Sequence, residues 1–325
     1  MDFLLASAPE TPTGSIWSHR GVGPARQLTE APRPSFIARP ASGGYVYAVA
    51  ERPHGGITSF REVGGTLTEI GFVATGTADP CFVEVHPSGE WLLAASYSSG
   101  QFTVHPIERD GVAGPPSQVL TCPQPADTSA SEISHAHTIR THPTTGLVIG
   151  TDLGGDRVSS FAFNATTGAL DWLESMELPT GSGPRHLEFV GPDRMVISCE
   201  LTPGIVLARI AADGALTVID HRTVESRPGD AASEIDRVGE FAVMGIRGSD
   251  RLVSMRIGDD ALTEVDSAPS GGAWPRHLAA IGSDIVVAHQ HSDSVDAVEF
   301  DAASGTFGSA RRLVDVPAAQ CILPL

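Results

Sequence analysis

The tripeptide Pro-Arg-His occurs twice in this chain, at Pro184–His186 in "GSGPRHLEF" and, 91 residues later, at Pro275–His277 in "GGAWPRHLAA". A guanidinium next to an imidazole joins a permanent cation to a group that exchanges protons near neutral pH, which is equipment for acid–base and oxyanion chemistry. His135 and His137 in "HAH" add two more imidazoles, and Glu200 in "SCEL" adds a carboxylate. The chain contains no G-x-S-x-G elbow, P-loop or H-E-x-x-H, so serine-hydrolase, nucleotide-cradling and zincin readings have no footing. His289 and His291 of "HQHSD" alternate and would share a strand face, but no third metal ligand accompanies them.

Residues this far apart meet only if the fold repeats, and the chain does repeat. The stretch from Arg185 divides into "HLEFV", "RMVISCEL", "GIVLARI" and "LTVIDHRTV", four strand-length apolar segments separated by turn residues. The same four-part phrase starts near residues 35, 81, 136, 185, 233 and 276, a period of roughly 40 to 55 residues that suits one four-stranded unit. Two fragments remain: "DFLLASA", "GSIWSHR" and "ARQLTEA" at the N-terminus, and "QCILPL" at the C-terminus. Three strands and one strand complete a seventh unit and close a ring. The expected fold is an all-β, seven-bladed β-propeller of four antiparallel strands per blade, in a single domain over residues 1–325. A β-sandwich is the competing architecture, disfavoured by the regular period and the complementary ends. The Pro- and Ser-rich segment from Thr121 to His137 reads as a long loop between blades 2 and 3.

In such a blade the first strand is innermost, and its start lies beside the end of the second strand. The unusual polar residues collect at these two places. Strand-one starts carry His135, His137, Arg185, His186, Arg276 and His277; strand-two ends carry Glu51, Tyr97, Asp152, Glu200, Arg247 and Gln290. The expectation is that they converge on one mouth of the central channel. His19, His54, His86, His105, His142 and His221 fall outside this register, with His86 and His142 matching turn phrases, "VHPSG" and "THPTTG".

Composition bounds the partners. Of 325 residues 41% are hydrophobic, with 35 Gly and 24 Pro, which favours short strands and tight turns. A net charge of −18 repels nucleic acid, so an anionic ligand needs local arginines. Cys81, Cys122, Cys199 and Cys321 are scattered and read as buried free thiols of a reducing compartment. "MDFLLASAPE" lacks a basic n-region, and no apolar window reaches membrane-spanning length. The expectation is a cytoplasmic protein without a membrane partner, monomeric or weakly self-associating.

The phrases "HAHTIRTHPTTGLVIGTDLGGDRVSSF", "GSGPRHLEF", "VISCEL", "GIRGSDRLVSMRI" and "GGAWPRHLAA" together resemble the seven-bladed propeller lactonases of the bacterial 6-phosphogluconolactonase type, related to carboxy-muconate cyclases. The similarity spans essentially the whole chain. It implies an enzyme of carbohydrate metabolism acting on a small anionic lactone, with neither metal nor cofactor. It implies a His-Arg-Glu-Arg set that maps to His137, Arg185, Glu200 and Arg247, with Arg276 the second candidate for the last place. His135, Asp152, His186, Arg276, His277 and Gln290 are expected to bind substrate. Either Glu200 or His137 would serve as base. Members of the family need not share a substrate, and "AASYSSG" departs from the usual Asn-Tyr phrase. A lactone-forming cycloisomerase, a non-catalytic binding propeller and a calcium-dependent six-bladed lactonase are the other readings.

Overall fold

The structure, a computed structural model, describes residues 1–122 and 134–325. Among them 28 strands form seven four-stranded sheets, and there is no helix. Each sheet is an antiparallel meander whose strands follow chain order, except one. That sheet takes its innermost strand, Ala319–Pro324, from the C-terminus and the other three, Asp2–Ser7, Gly14–Arg20 and Arg26–Ala31, from the N-terminus. Leu4 pairs with Leu323, Leu5 with Ile322 and Ala6 with Cys321. This is blade 7; blades 1 to 6 follow in sequence from Ile37.

The core is divided among the interfaces between blades. Seven apolar clusters are resolved, and each joins two neighbouring sheets. The one that closes the ring packs Leu4, Ala6, Ile16 and Cys321 of blade 7 against Ile37, Val46, Ala48 and Phe60 of blade 1. Alternation explains this division. Middle strands such as Arg194–Cys199 read as unbroken apolar runs because both faces are covered by a neighbouring blade. Outer strands such as Thr306–Asp315 are mostly exposed. Each fully buried Leu, Ile or Phe contributes about 1.5–3 kcal/mol, so every interface between blades adds to the stability of the ring.

Two expectations need correction. "SFIARP" forms only a two-residue ladder, Ile37–Ala38, as the inner strand of blade 1. Pro34 and Pro40 flank it and donate no N–H. The segment from Thr121 to His137 is not all loop: Thr121 ends the outer strand Gln118–Thr121, His137 lies inside the inner strand Ala136–Thr141, and residues 123–133 lie outside the described residues.

The histidine turns behave as their phrases suggest. His86 Nδ1 accepts the Ser88 N–H at 3.1 Å, and His142 Nδ1 accepts that of Thr145 at 3.2 Å. All four cysteines are buried as thiols.

Candidate active site

The inner strands carry a shared irregularity. In blades 2 to 6 the pairing of strand one with strand two slips near its start: between Pro80 and Phe82, Ala136 and Thr138, Pro184 and Leu187, Ala232 and Ile235, Pro275 and His277. In blade 7 Gln320 is skipped in the same way. Such a bulge places extra residues on one side and re-aims them. The Pro-Arg-His phrase therefore sends two consecutive side chains to the channel, the Arg at the mouth and the His one level below.

Aligning the blades on this slip gives three levels of channel-lining side chains. Cys81, His137, Arg185 and Arg276 form the mouth. Phe36, Phe82, His186, Glu234, His277 and Cys321 form the waist, and Glu84, Arg140, Glu188 and Asp236 the far end. Strand-two ends add Glu51, Tyr97, Glu200 and Arg247 to the mouth, around a cavity of about 190 Å³.

A second recurring device sets the start of each inner strand. Asp156 of "DLGGDRV", at φ 50°, accepts the N–H groups of Gly181 and Gly183 at 2.6 and 2.7 Å, holding "GSGPRH" in place. Asp250, at φ 54°, accepts the Trp274 N–H at 2.7 Å, and Asp293, at φ 52°, accepts that of Ala318 at 2.8 Å. The short Asp side chain tolerates this left-handed conformation and bonds locally. Trp274 occupies the register of Gly183 and also has positive φ, 62°, a costly conformation for a bulky residue. Its ring packs beneath the Arg247 guanidinium, 5.5 Å from the centroid, and stacks on His291.

At the mouth one carboxylate holds two arginines. Glu200 Oε2 lies 2.8 Å from Arg247 Nη2 and 3.0 Å from Arg185 Nε. The Arg185 contact is too bent for a hydrogen bond. Among the described residues Nε and Nη1 of Arg185 and Nε of Arg247 are thus buried donors without an acceptor. Burial lowers the pKa of both guanidinium groups, that of Arg247 to about 10, against the raising effect of Glu200. Arg276 is held loosely, 3.8 Å from Glu51, and is free to meet a ligand. His137 is 6% exposed and its Nδ1 has no hydrogen-bond partner among the described residues. Burial, then the charge of Arg185 and the neighbouring His186, Arg276 and Arg247, push its pKa well below the ordinary value, so the ring is neutral at pH 7. Burial raises the pKa of Tyr97. The arrangement offers a neutral imidazole, unsatisfied N–H donors and a loosely paired cation around one small space.

Glu200→Gln tests the clamp. Removing the charge leaves two nearly buried guanidinium groups uncompensated, and the protein is expected to lose about 3 kcal/mol in urea unfolding. A loss below 0.5 kcal/mol, a threshold typical of a surface pair, would show that the clamp contributes little.

Of the expected site residues, His137, Arg185, Glu200, Arg247 and Arg276 meet at the mouth, together with Glu51 and Tyr97. The others do not border this cavity. His186 and His277 sit at the waist because the bulge drops them one level below the arginines. Asp152 is one register short: Leu153 occupies the place of Glu200, so Asp152 faces away and binds the N–H groups of His135 and Gly155 and the Ser134 hydroxyl. His135 stands before the inner strand, stacked on Tyr97 at 4.2 Å and bonded to its carbonyl. Gln290 shares the register of Glu200 but does not line the cavity. His289 lies between Asp296 and Ser270, and among the described residues no three His, Cys, Asp or Glu side chains converge as a metal site.

Two residues were missed. Cys81 occupies the register of Arg185 in blade 2, and Glu234 that of His186 in blade 5. Aligning "PRHLE" with "ASEID" and "PCFVE" on the bulge exposes both.

The seven-bladed propeller thus carries at one end a funnel lined by three arginines and two carboxylates around one small space. Residues 18–324 match the family model described as "Lactonase, 7-bladed beta-propeller", and the chain belongs to that family. An uncharacterised protein of Staphylococcus saprophyticus is 30% identical over 263 residues, covering 77% of this chain and 76% of that one. A 6-phosphogluconolactonase of Pectobacterium carotovorum is 28% identical over 324 residues, covering 93% and 92%. The crystallised periplasmic gluconolactonase of Pseudomonas aeruginosa shares the fold with a TM-score of 0.86 at 23% identity, covering 99% of this chain and 98% of that one.

Proposed function

We propose that this chain hydrolyses a small anionic sugar lactone, 6-phosphogluconolactone or a close relative, at the channel mouth defined by His137, Arg185, Glu200, Arg247 and Arg276. The observation that carries this reading is the convergence of a neutral His137, its Nδ1 without a hydrogen bond, with buried arginine N–H groups that lack acceptors among the described residues. A lactone carbonyl polarised by those donors becomes an oxyanion on attack by water, and preorganised donors favour the charge that develops. His137 takes the proton of the attacking water. Collapse of the tetrahedral intermediate breaks the ring C–O bond, and the imidazolium returns the proton to the departing alkoxide. Water is consumed and a hydroxy acid is formed. Glu200 fixes the two guanidinium groups.

A cavity of about 190 Å³ holds one lactone ring and leaves its substituent in the funnel, where Arg276 is available for a phosphate. Three guanidinium groups line the mouth against two carboxylates, a set that repels a metal cation, and the proposed chemistry needs none. Four buried thiols favour a reducing compartment.

The test is pH-stat hydrolysis of 6-phosphogluconolactone and glucono-lactone side by side, with EDTA present. Faster turnover of the phosphorylated lactone than the spontaneous rate is expected. No acceleration of either lactone, or loss of activity in EDTA, contradicts the reading. Arg276→Ala is expected to raise KM for the phosphorylated lactone about tenfold with kcat nearly unchanged, the cost of one charge-assisted contact made equally in ground and transition states. An equal rise for glucono-lactone would remove Arg276 from phosphate recognition.

A further inference from the structure

The channel has a second chamber at its other end, of about 290 Å³, separated from the mouth by the waist. Its chemistry is the reverse of the mouth's. Glu84, Glu188, Glu234 and Asp236 line it, while the arginines are Arg140 and, at the rim, Arg39. Arg140 is already engaged: it pairs with Glu188, lies 3.7 Å from Glu84 and donates to the Leu187 carbonyl at 2.8 Å. Arg39 faces Glu62 at 3.9 Å. The aromatic wall is Phe36 and Phe82, 4.5 Å apart, packed against His186 and His277.

Two deeply buried acceptors in the waist make no hydrogen bond among the described residues. His186, 4% exposed, gives its Nδ1 proton to Glu234 Oε1 at 2.7 Å, which leaves Nε2 as a lone pair with no hydrogen-bond partner among the described residues. Glu234, 7% exposed, has its Oε2 3.0 Å from His277 Nε2 but in no hydrogen bond. His186 and Glu234 border this chamber and not the mouth. The chamber therefore presents a lone-pair nitrogen and π faces beside carboxylates that already hold Arg140 (Glu84, Glu188) or backbone N–H groups (Glu84, Asp236), a lining that favours a donor or a cation.

We propose that this far chamber binds a small organic ammonium ion, its N–H groups directed to the acidic rim and waist and its apolar body against Phe36 and Phe82. Organic character follows from the phenyl wall, and the chamber's carboxylates do not converge on a point as metal ligands do. The electrostatics agree. Burial raises the carboxyl pKa of Glu84 and Glu188 and brings Asp236 to about 6, strain that a bound cation relieves. The site stands apart from lactone hydrolysis, and the proposal does not depend on it.

The experiment is calorimetric titration of the purified protein at pH 7.5 with benzylammonium, benzyl alcohol and benzoate. Saturable binding of benzylammonium is expected, with benzyl alcohol at least tenfold weaker and benzoate silent. Glu188→Gln is expected to weaken benzylammonium about tenfold, the value of one charge-assisted contact. Glu84→Gln serves if that variant does not fold. Arg276→Ala, at the opposite mouth, is expected to leave binding unchanged. Absence of saturable binding, equal binding of benzyl alcohol, insensitivity to both carboxylate variants, or binding of calcium ion but not benzylammonium overturns the proposal.

Discussion

Arg185→Ala is expected to lower kcat for lactone hydrolysis by about 10²–10³-fold, the usual cost of one lost oxyanion donor. The argument is geometric. Arg185 is 4% exposed, lies at the start of the inner strand of blade 4 and keeps two donors without acceptors among the described residues beside Glu200. Those donors hold the oxyanion more strongly than the ground-state carbonyl, so the loss falls on kcat more than on KM. Arg185→Lys keeps the charge but loses the planar fork, and is expected to recover less than a tenth of the rate. Because Arg185 is buried, thermal unfolding of each variant belongs beside the kinetics. Full activity in a folded Arg185→Ala protein removes this residue from the mechanism.

His137→Asn is the second large effect, an expected loss of about 10²–10⁴ in kcat for a general base. Its diagnostic is pH. His137 must be unprotonated to take a proton, and burial with the Arg185 charge depresses its pKa well below 6.5. Activity is therefore full above that pKa and lost as pH falls through it. In the free enzyme the acid limb of kcat/KM is expected below pH 6.5. A bound anionic substrate offsets the arginine charges and favours the imidazolium, so the acid limb of kcat is expected at higher pH than that of kcat/KM. His137→Asn should abolish this limb. Persistence of the limb in the variant would assign the base to another group, Glu200 first among them.

The ring was legible because its period is written in turn residues and apolar runs, and because "QCILPL" supplies the one strand that the N-terminal three lack. The mouth was legible in part because the strand-two ends Glu51, Tyr97, Glu200 and Arg247 share one register. What sequence reasoning could not separate was the Arg from the His of each Pro-Arg-His pair. A bulge is a property of the pairing between two strands, and it alone puts Arg185 in the funnel and His186 at the waist. The same one-residue logic misled for Asp152, which stands in the register of Cys199, one position before that of Glu200. Glu234 stayed hidden because it differs in type from His186 and His277, though it stands level with them. The "DLGGDRV" aspartate was visible as a motif, but its task of anchoring the next blade's inner strand needs the contact from Asp156 to Gly181 and Gly183.

The most direct measurement is a crystal structure with the hydroxy-acid product 6-phosphogluconate. The account predicts its carboxylate at hydrogen-bond distance from Arg185 and Arg247, its phosphate on Arg276, and His137 beside the carboxyl carbon. Product ordered in the acidic far chamber or on an outer face, with the arginine mouth empty at saturating concentration, would contradict it.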